Sequence, residues 1–256
     1  MTNKERKKYI INRCYSAYYA KLPEAFKQIN ILRYPGLWMS ILANTELYNI
    51  QNLTPECTDV LLTTKNSGGN YEANIENLDY TLHVFYELNY VMDKIRFIGD
   101  DTYNYPNLTE IVKAVLRDMP KIKHIEIVSD GNILPDESII DILRNPGMLA
   151  VIYSSGEKVD EIQALLEERG VNYEICDRPD LCGYCKNTHT VFVEGKIFRC
   201  PIAAYNYANK GEGTEDKDFV DIVARKLSIK NLRLAIFDIT NDPPPADCKS
   251  CKYYQK

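Results

Sequence analysis

The stretch Lys94-Ile95-Arg96-Phe97-Ile98-Gly99-Asp100-Asp101-Thr102, with Pro106-Asn107-Leu108 close behind it, decides the fold. Lys94 to Ile98 reads as a short strand and Gly99 to Thr102 as its polar exit. Pro106 with Asn107 then opens a helix carrying Leu108, Ile111, Val112, Val115 and Leu116. That is one βα unit, and the rhythm runs outward in both directions. Upstream, Asp59-Val60-Leu61-Leu62-Thr63-Thr64 is a strand closed by Lys65-Asn66-Ser67-Gly68-Gly69-Asn70, and Ile75, Leu78, Leu82, Phe85 and Leu88 follow at helical spacing. Downstream, Ile122 to Val128 is a strand ending at Ser129-Asp130-Gly131-Asn132, and Pro135 starts a helix with Ile139, Ile140, Ile142 and Leu143. Leu149 to Tyr153 ends at Ser154-Ser155-Gly156, a helix from about Lys158 to Arg169 is closed by Gly170, and Val171 to Cys176 gives a fifth strand. Alternating units of this kind predict an α/β fold built on a mostly parallel sheet.

Consecutive strand exits in such a sheet share one edge, the C-terminal one, where α/β folds bind ligands. Gly99, Asp100, Asp101, Ser129, Asp130, Asn132 and Ser154 are therefore candidate cofactor-binding residues. The same residue types also make ordinary strand-to-helix turns and N-caps.

The 256 residues are 45% apolar and 26% charged, enough to fill a sizeable core and incompatible with general disorder. A net charge of -5, with both signs interspersed, leaves no basic footprint for nucleic acid. The charged start, Met1 to Lys8, has no apolar run behind it, and no window is long and apolar enough for a membrane span. The expectation is a cytoplasmic protein that touches neither nucleic acid nor membrane. Tyr15, Tyr18, Tyr19, Leu22 and Phe26 have helical spacing, as do Leu37, Ile41 and Leu42, so residues 1–57 are expected to form a helical preface.

The chain holds eight cysteines, and in a reducing compartment grouped cysteines hold metal or do redox chemistry. Cys182, Cys185 and Cys200 form one group, and Cys248 and Cys251 another beyond the stiff Pro243-Pro244-Pro245 connector. Between Cys185 and Cys200, Thr188 to Val193 and Lys196 to Arg199 alternate in polarity around Glu194-Gly195, which predicts a β-hairpin that folds its ends together. Two Cys-x-x-Cys steps and a hairpin cysteine can bring four thiolates onto one ion. Tetrahedral zinc and an iron–sulfur cluster both suit such a set. Cys182 and Cys185 compete for one ligand position, and the hairpin spacing favours Cys185. Cys14, Cys57 and Cys176 read as structural. His83, His124 and His189 form no second constellation, and there is no phosphate loop, Gly-x-Ser-x-Gly elbow or His-Glu-x-x-His.

Over about residues 58 to 256 the chain resembles the radical S-adenosylmethionine proteins that carry a small C-terminal twitch or SPASM-like auxiliary-cluster extension. Gly99-Asp100-Asp101-Thr102 before Tyr105-Pro106-Asn107-Leu108 resembles the family's Gly-Gly-Glu-Pro-like turn and Tyr-Pro-x-Leu helix start. Ser129-Asp130-Gly131-Asn132 is similar to its Thr-Asn-Gly exit. Cys185, Gly195, Cys200, Cys248 and Cys251, with Phe198-Arg199-Cys200-Pro201, resemble the extension's signature. The departure is at the first strand exit, where the family holds Cys-x-x-x-Cys-x-x-Cys and Lys65 to Tyr71 contains no cysteine.

The resemblance implies a partial (β/α) barrel of the radical S-adenosylmethionine type at residues 58–178 and a cysteine-rich extension at 179–256. It implies one C-terminal [4Fe-4S] cluster on Cys185, Cys200, Cys248 and Cys251, with Cys182 the alternate ligand and zinc the alternative metal. S-adenosylmethionine would sit at the strand exits, although Asp100 and Asp101 in place of Gly-Glu weaken the case for its amino group. Three roles follow as expectations. The first is an accessory or recognition subunit, working beside a partner enzyme on a peptide or glycan in bacterial modification. The second is an active radical enzyme that borrows electrons from the auxiliary or a partner's cluster, and the third is a zinc-stabilised binding module. A bare first loop argues against radical chemistry in this chain alone.

Overall fold

The computed structural model describes residues 57–65, 69–87, 94–119, 122–177, 189–210, 219–222, 235 and 239. The expected helical preface, and Cys14, Cys182, Cys185, Cys248 and Cys251, lie outside the described residues. In chain order the elements are β1 (Cys57–Thr63), α1 (Ile75–Glu87), β2 (Lys94–Gly99), a 3-10 turn (Thr102–Asn104), α2 (Leu108–Asp118) and β3 (His124–Ser129). They continue with α3 (Glu137–Leu143), β4 (Met148–Tyr153), α4 (Val159–Arg169), β5 (Tyr173–Cys176), β6 (His189–Val193), β7 (Lys196–Phe198), α5 (Pro201–Lys210) and β8 (Phe219–Asp221).

Among the described residues the eight strands form one sheet in the order β5-β4-β3-β2-β1-β6-β7-β8. The pairs β1-β2, β2-β3, β3-β4, β4-β5 and β1-β6 are parallel, and β6-β7 and β7-β8 are antiparallel. The first five strands lie side by side in sequence order. Parallel strands joined in this order by helical connections are the arrangement that curls a sheet toward a barrel. The sheet stays open among the described residues, so this is a mixed α/β fold of partial-barrel form. It extends past the first five strands, because β6 pairs with the other side of β1.

Helices need an apolar face. Register supplies it in the row Val60-Phe97-Ile127-Ala150, whose members are all at most 2% exposed. The opposite face carries charge. Asp59, Arg96 and Glu126 are direct neighbours across β1, β2 and β3. Asp59, fully buried, accepts both Arg96 Nε (2.6 Å) and Arg96 Nη2 (2.7 Å), a two-pronged pairing of planar guanidinium with carboxylate. Glu126 is paired with Lys94 one row away. On β1's other side, the Thr58 and Thr190 hydroxyls meet at 3.1 Å. Asp59 and Thr58 of β1 thus each find a side-chain partner on a neighbouring strand.

Helix ends follow local rules. Asn74 caps α1 by accepting from Glu76 N and Asn77 N (2.8 and 3.1 Å). The α3 cap is Asp136, accepting from Ile139 N at 2.9 Å, so the helix starts two residues after the proline expected to open it. The hydroxyl of Ser138 and the amide of Ile139 hold the Asp136 carboxyl below the usual range. Gly170, at φ 65°, ends α4 in the left-handed conformation that glycine adopts without steric cost. No described helix is long and apolar enough to cross a membrane.

Removing the guanidinium strands a buried carboxylate. Arg96→Ala is expected to cost about 3–5 kcal/mol in urea unfolding at neutral pH. A loss below about 1 kcal/mol would show that Asp59 does not depend on Arg96.

Candidate functional site

The C-terminal edge is built from four exits among the first five strands. At the first, the chain turns back on the strand it has just left. Thr64 N donates to Tyr71 O (3.0 Å), Gly69 N to Thr64 O (3.0 Å) and Ala73 N to Leu62 O (2.8 Å), and Thr63 bridges Glu72. Lys65 is paired with Glu72. The Thr64 hydroxyl accepts from Tyr71 N at 3.3 Å and donates to Asn209 Oδ1 of α5 at 2.5 Å. The Tyr105 hydroxyl donates to Ala73 O at 3.1 Å. From the β6-β7 turn, Glu194 accepts from Asn77 Nδ2 at 2.8 Å and from Asn74 N at 3.4 Å, beside the first turn of α1 where an anion is favoured. Burial, with Glu194 close by, pushes the Tyr71 phenol well above its ordinary range.

The second exit is acidic. Asp100 N donates to Thr63 O at 3.0 Å, which ties the β2 exit to the end of β1. Gly99 is required there, because a Cβ would stand 2.8 Å from Thr63 O and 2.9 Å from Thr63 N. Asp100 and Asp101 are 4% and 7% exposed, and Asp101 adopts φ 51°, a left-handed conformation that aspartate tolerates better than most residues. Burial first, and the Asp100 charge second, raise the Asp101 carboxyl. Asn104 N and Tyr105 N close the following turn onto Asp101 O and Thr102 O (2.8 and 3.1 Å). Tyr103 is buried with its hydroxyl unpartnered among the described residues.

The third and fourth exits are occupied with each other. Ser129 Oγ accepts from Gly131 N at 3.1 Å, Asn132 Oδ1 from Glu157 N at 3.1 Å, and Gly131 O from Lys158 N at 2.8 Å. Gly131 has φ 78°, and a Cβ on Gly156 would fall into the backbone of Asp130 and Gly131. The Ser154 hydroxyl donates to Asp177 Oδ1 at 2.6 Å, linking the β4 exit to the end of β5. Of the seven residues expected to hold a cofactor, all stand on this edge. Ser129 uses its side chain to hold its own turn at Gly131, and Asn132 and Ser154 use theirs to join one exit to the next. Asp100 and Asp101 form the buried acidic group, Asp130 is half-buried, and Gly99 permits the close approach of β1 to β2. Sequence reasoning missed Thr64, Tyr71, Glu194 and Asn209. Asn209 lies 145 residues from Thr64, and no spacing pattern announces it.

Among the five expected metal ligands, Cys200 is described. It is half-buried, and its carbonyl accepts from Ala204 N at 3.0 Å as α5 begins. Among the described residues no group of three or more Cys, His, Asp or Glu could hold a metal ion. The Cys57 thiol is buried and donates to Asp59 Oδ1 at 3.6 Å. Burial, then Asp59, pushes it up to about 12, a protonated thiol unsuited to ligation. Burial, then Glu174, also raises Cys176. The donor chemistry divides the implied groups. Two carboxylates at the β2 exit fit an ammonium such as the amino group of S-adenosylmethionine. The β1 exit, whose residues 65–71 hold amide, hydroxyl and ammonium groups and no thiolate, does not fit a [4Fe-4S] cluster.

The chain matches no family model and no curated protein. Among solved structures it is similar to BtrN in complex with AdoMet and 2-DOIA, at 14% identity and a TM-score of 0.49 over 73% of this chain and 82% of that one. It is also similar to Streptococcus suis SuiB bound to S-adenosylmethionine, at 10% identity and a TM-score of 0.44 over 85% and 74% of the two chains. A third is HydG, a maturase of the [FeFe]-hydrogenase, at 11% identity and a TM-score of 0.31 over 93% and 62%.

A carboxyl raised by folding favours the fold when protonated and loses that contribution as pH rises through its folded pKa. Asp101→Asn keeps a residue that accepts the left-handed conformation and removes the charge. It is expected to raise the urea midpoint at pH 7 and to leave little difference at pH 3. An equal difference at both pH values would show that the Asp101 charge is not the cause.

Proposed function

We propose that this chain is a radical S-adenosylmethionine-like protein with a degenerate first loop, holding one [4Fe-4S] cluster on Cys185, Cys200, Cys248 and Cys251, and acting as an accessory or recognition subunit. Its target class would be a peptide or glycan undergoing modification by a partner enzyme. The observation that carries the reading is the contrast between adjacent exits. At the β2 exit two buried carboxylates remain where an ammonium would be recognised. At the β1 exit the thiolates that would hold a sulfonium-reducing cluster are absent from the sequence, and Thr64, Gly69, Tyr71 and Ala73 turn the chain back on β1 by hydrogen bonds. Such a barrel keeps a recognition edge and lacks the means to generate a radical from its own first loop. The hairpin β6-β7 supports the metal half of the reading, because it leads directly into Cys200 at the start of α5.

Iron, sulfide and zinc analysis of anaerobically purified full-length chain tests the metal. About four irons with matching sulfide are expected, together with brown visible absorption that Cys200→Ser removes. One zinc per chain without sulfide overturns the cluster. Titration with S-adenosylmethionine under reducing conditions tests the role. The expected result is no 5'-deoxyadenosine, and reductive cleavage by this chain alone overturns the accessory assignment.

A further inference from the structure

The turn between β6 and β7 breaks a local rule. Glu194 and Gly195 both have positive φ, 48° and 75°, and Val193 pairs with Lys196 across them, so the connection is a two-residue hairpin turn with two left-handed residues. Glycine suits its second place, and asparagine, aspartate or glycine suits its first. Glutamate does not, because a longer side chain in the left-handed region is strained without a bond to its own backbone to offset it. The destination of the carboxylate explains the exception. β6 runs parallel to β1, so its end comes out on the edge where α1 begins. There the half-buried Glu194 accepts from Asn77 Nδ2 at 2.8 Å and from Asn74 N at 3.4 Å. Asn74 in turn caps α1 by accepting from Glu76 N and Asn77 N. In a capping box the third residue of the helix returns a side-chain oxygen to the N–H of the cap residue. Asn77 holds that third place, but it donates its amide to Glu194, and Glu194 takes the bond from Asn74 N. The box is completed by a residue 120 positions away.

We propose that Glu194 is a tether, a glutamate set in a turn position that disfavours it so that its carboxylate fastens the hairpin tip to the first turn of α1. A hydrogen bond to a carboxylate is stronger than one between neutral groups, and it outweighs the local strain of the turn. The same turn is gripped from the other side, where Ile222 N donates to Gly195 O at 2.8 Å. The start of α1 and the hairpin tip are thereby coupled, and loss of either partner loosens both. The inference goes beyond the proposed function and uses neither metal nor S-adenosylmethionine.

Urea unfolding of the full chain tests it by sign. Glu194→Asn supplies a residue suited to the turn but one methylene too short for the bond to Asn77. A residue that served the turn alone would be improved by this exchange and the midpoint would rise, whereas loss of a tether lowers it. In an Asn77→Ala background the carboxylate has no amide to hold, so the same exchange should leave the midpoint unchanged or higher. Glu194→Gln keeps an acceptor oxygen at full reach and should stay closer to wild type than Glu194→Asn. The Asn77 side-chain amide protons, followed by nuclear magnetic resonance, should exchange with solvent about tenfold faster in Glu194→Asn, the effect of one lost hydrogen bond, and the Gln variant should largely restore them. Glu194→Asp keeps the charge, suits the turn and also falls short of Asn77, and it is read in the same way if Glu194→Asn does not fold. A midpoint raised by Glu194→Asn, an equal loss with and without Asn77, or an Asn77 exchange rate that does not change overturns the tether. A chain that holds no iron leaves the tether standing.

Discussion

A carboxylate with no exposure to water cannot sit in the middle of a sheet unless a cation is delivered to it, and that requirement organises this molecule. β1 is buried along all seven residues, and Asp59 lies within it. Burying such a charge alone would cost several kcal/mol. Arg96 on β2 answers it with two short hydrogen bonds, which fixes the β1-β2 register, because a one-residue slip would turn the arginine to the other face. The pairing of Thr58 with Thr190 does the same on the β6 side. The strand with the least freedom therefore sets the position of both halves of the sheet, and with it the position of every exit on the edge.

That edge is not uniform. The β3 and β4 exits are interlocked by Asn132, Gly131 and Gly156, and β4 is joined to β5 by Ser154 and Asp177. At the β1 exit the described residues turn back on the strand they have left, and the Thr64 hydroxyl donates to Asn209 of α5. Between these two built-up regions lies the β2 exit, where two carboxylates are buried side by side and the Asp101 carboxyl is raised by burial and then by the Asp100 charge. Paired buried carboxylates of this kind mark Asp100 and Asp101 as the chemically distinctive part of the edge.

Much of this was legible in the residues. The strand-helix rhythm placed the first five strands within a few residues of where they lie, because apolar runs, polar exits and caps are local signals. Boundaries moved where a local signal had a competitor. Pro135 looked like the opening of α3, but the Asp136 side chain caps Ile139 N and sets the start at Glu137. β1 begins at Cys57, ahead of the polar Asp59, because neighbours on both sides pair with it there. The parallel pairing of β6 with β1 was not legible, since nothing local tells a hairpin which distant strand it will join. The same limit applies to the site. Ser129, Asn132 and Ser154 could be placed on the edge, but the partners of Asn132 and Ser154 are 25 and 23 residues away. Whether those side chains served a ligand or a neighbouring loop could be decided only in three dimensions.

The central place of β1 has a consequence for how the protein is made. Its second neighbour arrives late, as Thr58 and Thr190 are separated by 132 positions. At about 5–20 residues per second on the ribosome, one flank of β1 waits roughly 7 to 26 s for its partner. During that interval a nascent chain with β1 to β5 assembled presents a bare, apolar border to other chains. Synthesis speed between the two halves, and any chaperone that shields that border, thus bears directly on yield.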